Sequence, residues 1–444
     1  MYGKQIPVVK NMHTVVISGG TATNHILDAF ATSSSINNTT TYILPVSDNG
    51  GSSAEILRVF GGSAIGDIRS RLVRLIPELE SDTLGMRELL GHRLPSDAES
   101  ASMEWHRLVQ GSHELWVPID PAIVTMARSF LVHIDMEMNK RSRLRFRLER
   151  ACVGNLFLTG ARMFMGGDTD GSVELLRRIC RIRVSVQVHG CINTTSTYHI
   201  AAILRNGEII RGQSQISHPA VAVEVDGNCD LHHDNDHDHG DVHPSLRTSQ
   251  LHFNHGSDIN DELPSPITRV MYISPYGEEI HPRASAKTLS ALQGADVVVY
   301  SIGSLWTSIV PVLLLKGVGD VLIKEAQPNV SRRPLKLLLL NGASDRETRG
   351  MTPMDYVGVI RDAVAYSAGA ERLSLRSVVD AVAVAGTETE TNDQYIDNGD
   401  LDLAALRREG IRVLFSGDHD DGSGSGLFSA NGVRHVLEEL SRLN

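Results

Sequence analysis

The stretch Tyr42–Arg71 constrains the fold of this chain more than any other part of the sequence. It reads YILPVSDNGGSSAEILRVFGGSAIGDIRSR, which is a short apolar run, a polar glycine loop, a helix, a second glycine loop and another helix. An apolar run that leads directly into such a loop and helix is typical of a buried parallel strand. The helix N-terminus after that strand is a natural site for an anion. The stretch therefore predicts an α/β fold with a ligand site at the carboxyl end of this strand.

The loop after this strand, Ser47–Ser53, contains the first candidate functional residues. Its adjacent glycines allow backbone N–H groups to approach a ligand closely, and either serine at its end can cap a helix that begins near Ala54. Asp48 stands where a carboxylate can hold a metal ion or orient a hydroxyl group. The alternative is a tight turn in which Asp48 and the serines act only as caps. The candidate ligand-binding residues of this loop are Asn49, Gly50, Gly51, Ser52 and Ser53.

The second glycine loop leads into a helix that is predicted over residues 68–76 and that carries three arginines. Gly66 is a candidate ligand-binding residue, and Asp67 is expected to cap the helix. Arg69 lies in the first turn, beside the loop, and is the arginine best placed to meet a phosphate. The other arginines, Arg71 among them, are expected to face solvent, because the helix also carries an apolar stripe.

The first strand of the chain is predicted at Thr14–Ile17, and it is followed by the loop Ser18–Asn24 and a helix. This order opens a nucleotide-binding βαβ unit. The loop matches neither the G-x-G-x-x-G pattern nor a phosphate loop that ends in Lys and Ser or Thr, so its spacing alone does not identify a ligand. Its candidate ligand-binding residues are Gly19, Gly20, Thr21 and Asn24.

The same order of strand, loop and helix recurs in the second half of the chain. One apolar strand is predicted at Asp296–Tyr300 and another at Leu335–Leu340, and each is followed by a loop with glycine and hydroxyl side chains. Because the carboxyl ends of parallel strands meet at one edge of a sheet, we expect the four loops to converge on a site for a nucleotide or a phosphorylated metabolite. The candidate residues here are Gly303, Ser304, Thr307, Ser308 and Asn341.

The middle of the chain contains features that allow two interpretations each. Asn155 opens an apolar helix and is either a cap or a ligand contact. The basic run Lys140–Arg150 is interpreted as a solvated face, and the alternative is the border of an anionic substrate. Arg183–Val188 alternates like a half-buried strand, and Asn206–Gly207 predicts a hairpin. Strands alternate with helices over most of the chain, which predicts a doubly wound α/β fold.

Composition excludes some classes of function. The formal net charge of −11 argues against binding nucleic acid through phosphate neutralisation. No apolar run reaches the length that spans a membrane, and four scattered cysteines without metal-ligand spacing favour reduced thiols in the cytoplasm. The tract at 228–258 is rich in His and Asp. It is interpreted as a disordered, solvated insert, and the alternative is a metal site.

Five segments in order along the chain resemble the CofD/YvcK superfamily. They are SDNGGSS (47–53), GDIRSRLV (66–73), GNLFLTG (154–160), GSLWTSIVP (303–311) and NGASDRETRGMTP (341–353). This superfamily includes the 2-phospho-L-lactate transferases of deazaflavin cofactor synthesis and the bacterial gluconeogenesis factor YvcK. The resemblance covers residues 14–367, and the segments GDIRSRLV and GSLWTSIVP look closer to the YvcK branch.

The resemblance implies one CofD-like domain over residues 1–444, built as a Rossmann-like, doubly wound, mainly parallel sheet with a smaller added α/β part. It also implies a homodimer and a nucleotide diphosphate ligand, which is a guanosine compound of phospholactate in the transferases and a UDP-sugar in the YvcK branch. The sequence departs from the family in three respects. The loop Ser18–Asn24 has fewer glycines, Asn49 replaces a second aspartate that is common in the YvcK branch, and the tract 228–258 and the long helical stretch after residue 80 have no counterpart.

Two functions follow from these residues and this resemblance. The first is a transferase of a phosphoryl-linked group, with Asp48 and Asp67 as catalytic residues and Mg²⁺ held by Asp48, alone or with Asp67. In this function Asp48 could instead accept the proton of an acceptor hydroxyl. The second is a non-catalytic UDP-sugar sensor that regulates carbon metabolism, which the missing second carboxylate at position 49 favours. A third interpretation, a metal-binding or interaction protein, depends on the histidine tract alone.

Overall fold

The computed structural model describes residues 12–31, 38–141, 144–217, 262–323, 333–342, 345–387, 403–417 and 427–442. The predicted insert at 228–258 lies outside these residues. Within the described ranges, no helix combines the length and the apolar character that crossing a bilayer requires.

The described strands form two sheets. They are β1 (His13–Ile17), β2 (Thr39–Leu44), β3 (Val186–Gly190), β4 (His199–Leu204), β5 (Ile209–Arg211), β6 (Ile267–Ile273), β7 (Glu279–Ile280), β8 (Val297–Tyr300), β9 (Leu335–Leu339), β10 (Ala381–Val384) and β11 (Arg412–Phe415). A seven-stranded parallel sheet has the order β11-β10-β9-β8-β1-β2-β3, and a four-stranded antiparallel sheet has the order β5-β4-β6-β7. The predicted fold class, a doubly wound parallel sheet with a smaller added part, is confirmed.

The strand order of the large sheet reverses between β1 and β8. From β1 the chain adds β2 and β3 on one side, and after the small sheet it returns to add β8 to β11 on the other. Ile17 at the end of β1 pairs with Ile43 of β2 and with Tyr300 of β8, so these strands end at one level. Chain segments that leave neighbouring strands in opposite directions leave a crevice between them.

The central strands are buried on both faces, which explains why they read as continuous apolar runs. The bounds of two strands differ from those expected. β2 begins at Thr39, three residues before the expected start, because Thr40 and Thr41 are buried β-branched residues and the Thr40 hydroxyl donates to the carbonyl oxygen of Phe30. β3 begins at Val186, and the 69% exposure of Val184 shows that it does not share the buried face that the alternation predicted.

Helices cover both faces of the large sheet. Those described are α1 (Leu27–Ala31), α2 (Gly51–Phe60), α3 (Gly66–Leu75), α4 (Ser81–Gly91), α5 (Ala98–Gln110), α6 (Pro121–Lys140), α7 (Val153–Phe164), α8 (Thr169–Ile179), α9 (Gln213–Ser217), α10 (Ala286–Gln293), α11 (Val310–Leu313), α12 (Val318–Ile323), α13 (Pro353–Ala368), α14 (Leu375–Val378), α15 (Leu403–Arg408) and α16 (Ala430–Arg442). Short 3₁₀ turns lie at Ala22–His25 and Glu114–Trp116, and a π-helical turn precedes α11 at Leu305–Ile309. The apolar helix α7 contacts α2, α3, α4, α6 and α8 and is the centre of one helical layer.

The small sheet lies beside the crevice. Its hairpin β4–β5 contains the predicted turn, and Gly207 has a φ of 89°, which favours glycine. The Tyr272 hydroxyl of β6 donates to the carbonyl oxygen of Pro311 in α11 at 3.0 Å. Helix α9, which follows β5, contacts the π-helical turn after β8. The small sheet therefore places α9 at the edge of the crevice.

Helices α6 and α7 cross closely because Gly160 has no side chain. A Cβ atom at Gly160 would overlap the carbonyl oxygen of Phe130 and lie 3.1 Å from its carbonyl carbon. Next to this crossing the rings of Phe130 and Phe157 pack edge to face with centroids 5.5 Å apart. Backbone cannot move aside as a flexible side chain can, so the crossing depends on glycine.

Gly160→Ala should therefore destabilise the protein, although alanine is the better helix former. We expect a loss of about 1–3 kcal/mol, as is typical of overpacking, measured as a lower midpoint of urea unfolding. The matched control is Gly358→Ala in α13, where no described atom lies within 4 Å of the added Cβ and where alanine should stabilise by up to about 1 kcal/mol. If both variants are stabilised, the two helices do not cross this closely.

Candidate functional site

A cavity of about 800 Å³ lies at the carboxyl ends of β1, β2, β8 and β9. It is located where the strand order reverses, which is where doubly wound folds bind ligands. The structure thus brings together the loops that the sequence predicted to converge. The predicted residues that line the cavity are Gly19, Gly20, Thr21, Asp48, Gly50, Gly51, Ser52, Ser53, Gly66, Asp67, Arg69, Asn155, Gly303, Ser304, Thr307 and Ser308.

Three asparagines among the candidate ligand-binding residues form hydrogen bonds with the loops around the cavity. Asn24 Nδ2 donates to the carbonyl oxygen of Gly20 at 2.7 Å. Asn49 Oδ1 accepts the backbone N–H of Ser214 in α9 at 2.9 Å. Asn341 bonds twice to Gly303, accepting its N–H at 3.0 Å and donating to its carbonyl oxygen at 2.8 Å. Their side chains are engaged with backbone, so they shape the loops that line the cavity.

The glycine loop after β1 packs against α3 and the loop after β8 without any intervening side chain. A Cβ atom at Gly20 would overlap Oδ1 of Asp67 and lie 2.7 Å from its Cα atom. A Cβ atom at Gly19 would lie 2.5 Å from the Ser308 hydroxyl oxygen. Glycine is required at position 20, where the neighbour is backbone, whereas at position 19 the Ser308 hydroxyl would have to move. The close approach leaves the loop backbone facing the cavity.

Asp48 and Asp67 lie together on the cavity wall. Asp48 Oδ1 accepts the N–H of Gly50 at 3.0 Å. A Cβ atom at Gly66 would lie 2.5 Å from Asp48 Oδ2 and 2.5 Å from the Ser53 hydroxyl oxygen, so these groups also meet closely. Burial raises the pKa of Asp48 above its usual range, although the Gly50 N–H opposes the shift. Burial, and after it the charge of Asp48, raises the pKa of Asp67 to about 7.

The helix caps at this site differ from those predicted. Helix α2 begins at Gly51 with Gly50 as its N-cap, so Ser52 and Ser53 lie inside the first turn and do not cap it. Helix α3 begins at Gly66, and Asp67 lies in its first turn rather than at the cap. Both helices start earlier than expected, so these side chains bond elsewhere: Ser52 with Asn155, Ser53 with Asp48, and Asp67 with the Gly20 N–H.

Arg69 is held in place by a chain of side-chain hydrogen bonds. Its Nε atom donates to Asn155 Oδ1 at 3.0 Å, and Asn155 Nδ2 donates to the Ser52 hydroxyl oxygen at 2.9 Å. Asn155 is not a cap, since the N-cap of α7 is Cys152. Arg69 lines the cavity as predicted, and Asn155 fixes the side of the guanidinium that faces away from a ligand.

The prediction that Arg71 faces solvent is wrong. Its side chain is completely buried, and Nη2 donates to the Gly19 carbonyl oxygen at 2.8 Å and to the Ser18 hydroxyl at 3.2 Å. The guanidinium carbon lies 4.9 Å from the centroid of the Tyr42 ring. Burial lowers the pKa of Arg71 to about 10. Helical periodicity placed Arg71 opposite Arg69, but that side of α3 is covered by β2 and the loop after β1.

Several residues that line the cavity were not predicted from the sequence as ligand-binding residues. They are Ser70, Arg93, Glu149, Arg150, Gln213, Ser214, Ser217, Asp345, Arg346 and Glu347. Arg150 is the last residue of the basic run Lys140–Arg150, whose alternative interpretation was the border of an anionic substrate. Its φ of 56° is unusual for a residue other than glycine. The sequence around α9 contains no motif that indicates a ligand site, because only the fold of the small sheet brings that helix to the crevice.

Glu347 ties three elements together behind the loop after β8. It is 6% exposed and accepts hydrogen bonds from Ser217 of α9 at 2.5 Å, from Thr307 at 3.2 Å and from Ser304. Ser304 also caps the following turn, since its hydroxyl oxygen accepts the Thr307 N–H at 2.8 Å. The hydroxyl groups of Ser304 and Thr307 are therefore occupied within the protein. Two residues further on, Arg349 pairs with Glu262.

The donor set at Asp48 and Asp67 suits Mg²⁺. This ion is commonly bound by one or two carboxylates together with substrate phosphates, and the repulsion that contributes to the raised pKa of Asp67 would be relieved by a cation. Within the described residues, no group of three or more His, Cys, Asp and Glu side chains is placed to hold a metal ion.

Comparison with known proteins identifies the family. The family model described as 2-phospho-L-lactate transferase CofD matches residues 14–416. The Saccharomyces cerevisiae protein YNL011C is 40% identical over 420 residues, which cover 88% of this chain and 92% of the yeast protein. A Clostridium acetobutylicum protein that is named as a gluconeogenesis factor is 25% identical over 215 residues, which cover 48% of this chain and 35% of that protein. The chain belongs to the CofD family.

Solved structures share the fold. Two crystal structures of protein BH3568 from Bacillus halodurans, one described as a member of the UPF0052 family, superpose with a TM-score of 0.59. Their sequence identities are 19% and 18%, and the alignments cover 97% of this chain and 100% of theirs. At this identity the similarity shows the fold alone, and it agrees with the doubly wound sheet described above.

Glu347 should make the stability of the protein depend on pH. Burial, and after it the charge of Asp345, raises the pKa of Glu347 from 4.5 to about 7. Between these values the unfolded chain has released a proton that the folded protein retains, so stability falls as the pH rises from about 5 to 7. The shift corresponds to a difference of about 3 kcal/mol.

Glu347→Gln removes this ionisation and should therefore raise the thermal midpoint relative to the wild type by more at pH 8 than at pH 5. Thermal unfolding at both pH values measures the difference. The control is Glu438→Gln at an exposed position of α16, which should shift the midpoint equally at both pH values. A difference between wild type and Glu347→Gln that does not change with pH would mean that Glu347 is ionised throughout.

Proposed function

We propose that the protein binds a nucleoside diphosphate-linked ligand in the cavity and transfers its phosphoryl-linked group to an acceptor hydroxyl, in the manner of a 2-phospho-L-lactate-type transferase. The observation that carries this proposal is the pairing of Asp48 with Asp67 beside two glycine loops. Two adjacent carboxylates are costly to bury together, and their presence at a ligand site favours a catalytic or metal-binding role.

The cavity lining offers charged groups for the phosphates of the ligand and neutral hydrogen-bonding groups for the rest of it. Arg69, Arg93 and Arg150 line the side near Asp48, where they would meet the phosphates. The cavity is also lined by Gln213, Ser214 and Ser217 of α9, which offer neutral hydrogen-bonding groups for a sugar or a base. A volume of about 800 Å³ is within the range of pockets for ligands of this size.

In the proposed reaction the acceptor oxygen attacks the distal phosphorus, the bond from that phosphorus to the bridging oxygen breaks, and the nucleoside monophosphate leaves with the bonding electrons. Asp48 would either accept the hydroxyl proton, for which its raised pKa is favourable, or hold Mg²⁺ together with Asp67. Bound Mg²⁺ would supply positive charge to the phosphates. Arg69, fixed by Asn155, would neutralise the leaving group.

A thermal shift panel tests ligand binding. It contains GDP, GTP, UDP-N-acetylglucosamine, other UDP-sugars and phospholactate, each with and without Mg²⁺. A ligand at a hundred times its Kd adds about 2.7 kcal/mol, which shifts the midpoint measurably. We expect nucleotides to stabilise the wild type in the presence of Mg²⁺ and little in its absence. No shift with any compound would contradict the proposal.

The variant Asp48→Asn tests the role of the Asp48 carboxylate without disturbing the fold. The amide oxygen of Asn can still accept the Gly50 N–H, and loss of a half-buried charge beside Asp67 should leave the midpoint of the free protein unchanged or raised. The Mg²⁺-dependent shift and the release of nucleoside monophosphate should both disappear. The control is Asp362→Asn at an exposed position of α13, which should change neither. Full turnover in Asp48→Asn would exclude Asp48 from the chemistry.

A second candidate function is a non-catalytic sensor of a UDP-sugar. It is favoured by Asn49, which stands in place of a second carboxylate and is bonded to α9, and by the relative named as a gluconeogenesis factor. Under this function UDP-sugars would stabilise the protein equally with and without Mg²⁺, and the bound nucleotide would stay intact over many hours. Measurable release of nucleoside monophosphate would rule it out.

A further inference from the structure

Arg71 is a buried charge that the folded protein satisfies only in part. Its exposed fraction is 0%, and among the residues that the structure describes Nε and Nη1 have no hydrogen-bond partner. Only Nη2 is bonded, to two neutral oxygens of the loop after β1. The charge of Asp67 and the face of the Tyr42 ring offset part of the cost of burying this charge. Two guanidinium nitrogens still lack a hydrogen-bond partner, which is unfavourable for a buried ionised group and calls for an explanation in function.

The loop after β1 separates Arg71 from the cavity. Gly19, Gly20 and Thr21 line the cavity, and the guanidinium of Arg71 lies behind them, against the face of the Tyr42 ring. Its positive charge acts across this thin layer of backbone in surroundings from which water is excluded. Electrostatic attraction in such surroundings is stronger than at an exposed site and is screened less by salt.

The carbonyl oxygens of this loop are already bonded. The Gly19 oxygen accepts from Arg71, and the Gly20 oxygen accepts from Asn24 at 2.7 Å and from the Ser70 hydroxyl at 2.9 Å. Carbonyl oxygens would repel an anion if they were unbonded and faced the cavity. With both engaged by side chains, the loop presents a surface that tolerates negative charge, and Arg71 supplies positive charge behind it.

We propose that Arg71 is a positioning residue for the phosphate groups of the ligand, which bind against Gly19–Thr21 and are attracted by the Arg71 charge without touching it. This inference rests on the proposed function, since it assigns the phosphate end of the same ligand. It adds that the charge of Arg71 is compensated by the bound phosphates. It also adds that Arg71 fixes the Gly19 peptide in the orientation that anion binding needs.

The test varies the charge of residue 71 and the charge of the ligand independently. Arg71→Gln keeps an N–H donor for the Gly19 carbonyl oxygen but has no charge, and Arg71→Lys keeps the charge but not the fork of donors. Each variant is titrated calorimetrically with uridine, UMP and UDP and with the corresponding guanosine series, in the presence of Mg²⁺. The control is Arg74→Gln, at a half-exposed position of the same helix, where the side chain pairs with Glu78 at 3.6 Å.

We expect Arg71→Gln to weaken diphosphate binding by about tenfold or more and monophosphate binding by less, while binding of the neutral nucleoside changes by less than about threefold. Arg71→Lys should recover most of the diphosphate affinity, and Arg74→Gln should match the wild type. Equal losses for nucleoside and diphosphate, or equal losses in the Gln and Lys variants, would mean that Arg71 only supports the loop. Either result overturns the inference.

Inorganic pyrophosphate separates failure of this inference from failure of the proposed function. If the wild type binds no nucleotide, the proposed function is wrong. Stabilisation of the wild type by pyrophosphate, absent in Arg71→Gln and present in Arg71→Lys, would still support the role of Arg71. No pyrophosphate stabilisation of the wild type would overturn that role as well. If Arg71→Gln does not fold, Arg71→Met takes its place in both experiments.

Discussion

The contact between the Gly20 backbone and Asp67 is the constraint on which the rest of the site depends. It joins the loop after β1 to the first turn of α3, and it requires a residue without a side chain at position 20. Once this contact is made, Asp67 is fixed beside Asp48 and Arg71 is enclosed behind the loop. Two acidic groups and one basic group thus lie close to the loop, where bulk water cannot reach all of them, and their charges must be balanced locally.

Neutral side chains determine the shape of the cavity, whereas charged side chains determine its chemistry. Asn24, Asn49 and Asn341 each bond to the backbone of a different loop or helix, so neutral amides help to hold these loops in position. Amides suit this task because one group donates and accepts. A carboxylate in place of these asparagines would compete with the phosphates of a ligand for the arginines that line the cavity. Neutral amides avoid this competition.

The sequence predicts the sheet well because parallel strands that are buried on both faces read as continuous apolar runs, as Val15–Ile17 and Val297–Tyr300 do. Convergence of the loops follows from strand polarity alone. The caps could not be predicted, because Ser52 and Ser53 are good N-cap residues and only the turn geometry selects Gly50. The exposure of Arg71 was predicted wrongly, because helical periodicity gives the side of a helix on which a residue lies but not what covers that side. Glu347 was missed because its partners Ser217 and Ser304 are distant in sequence.

The segment between α9 and β6 is anchored at both ends to a single loop. Ser217 bonds to Glu347, and Glu262 pairs with Arg349, two residues along. The two described ends of this segment therefore both meet the loop that follows β9. A substitution at Glu347 or Arg349 would therefore be felt in two places that are far apart in the sequence, the end of α9 and the residues that lead into β6.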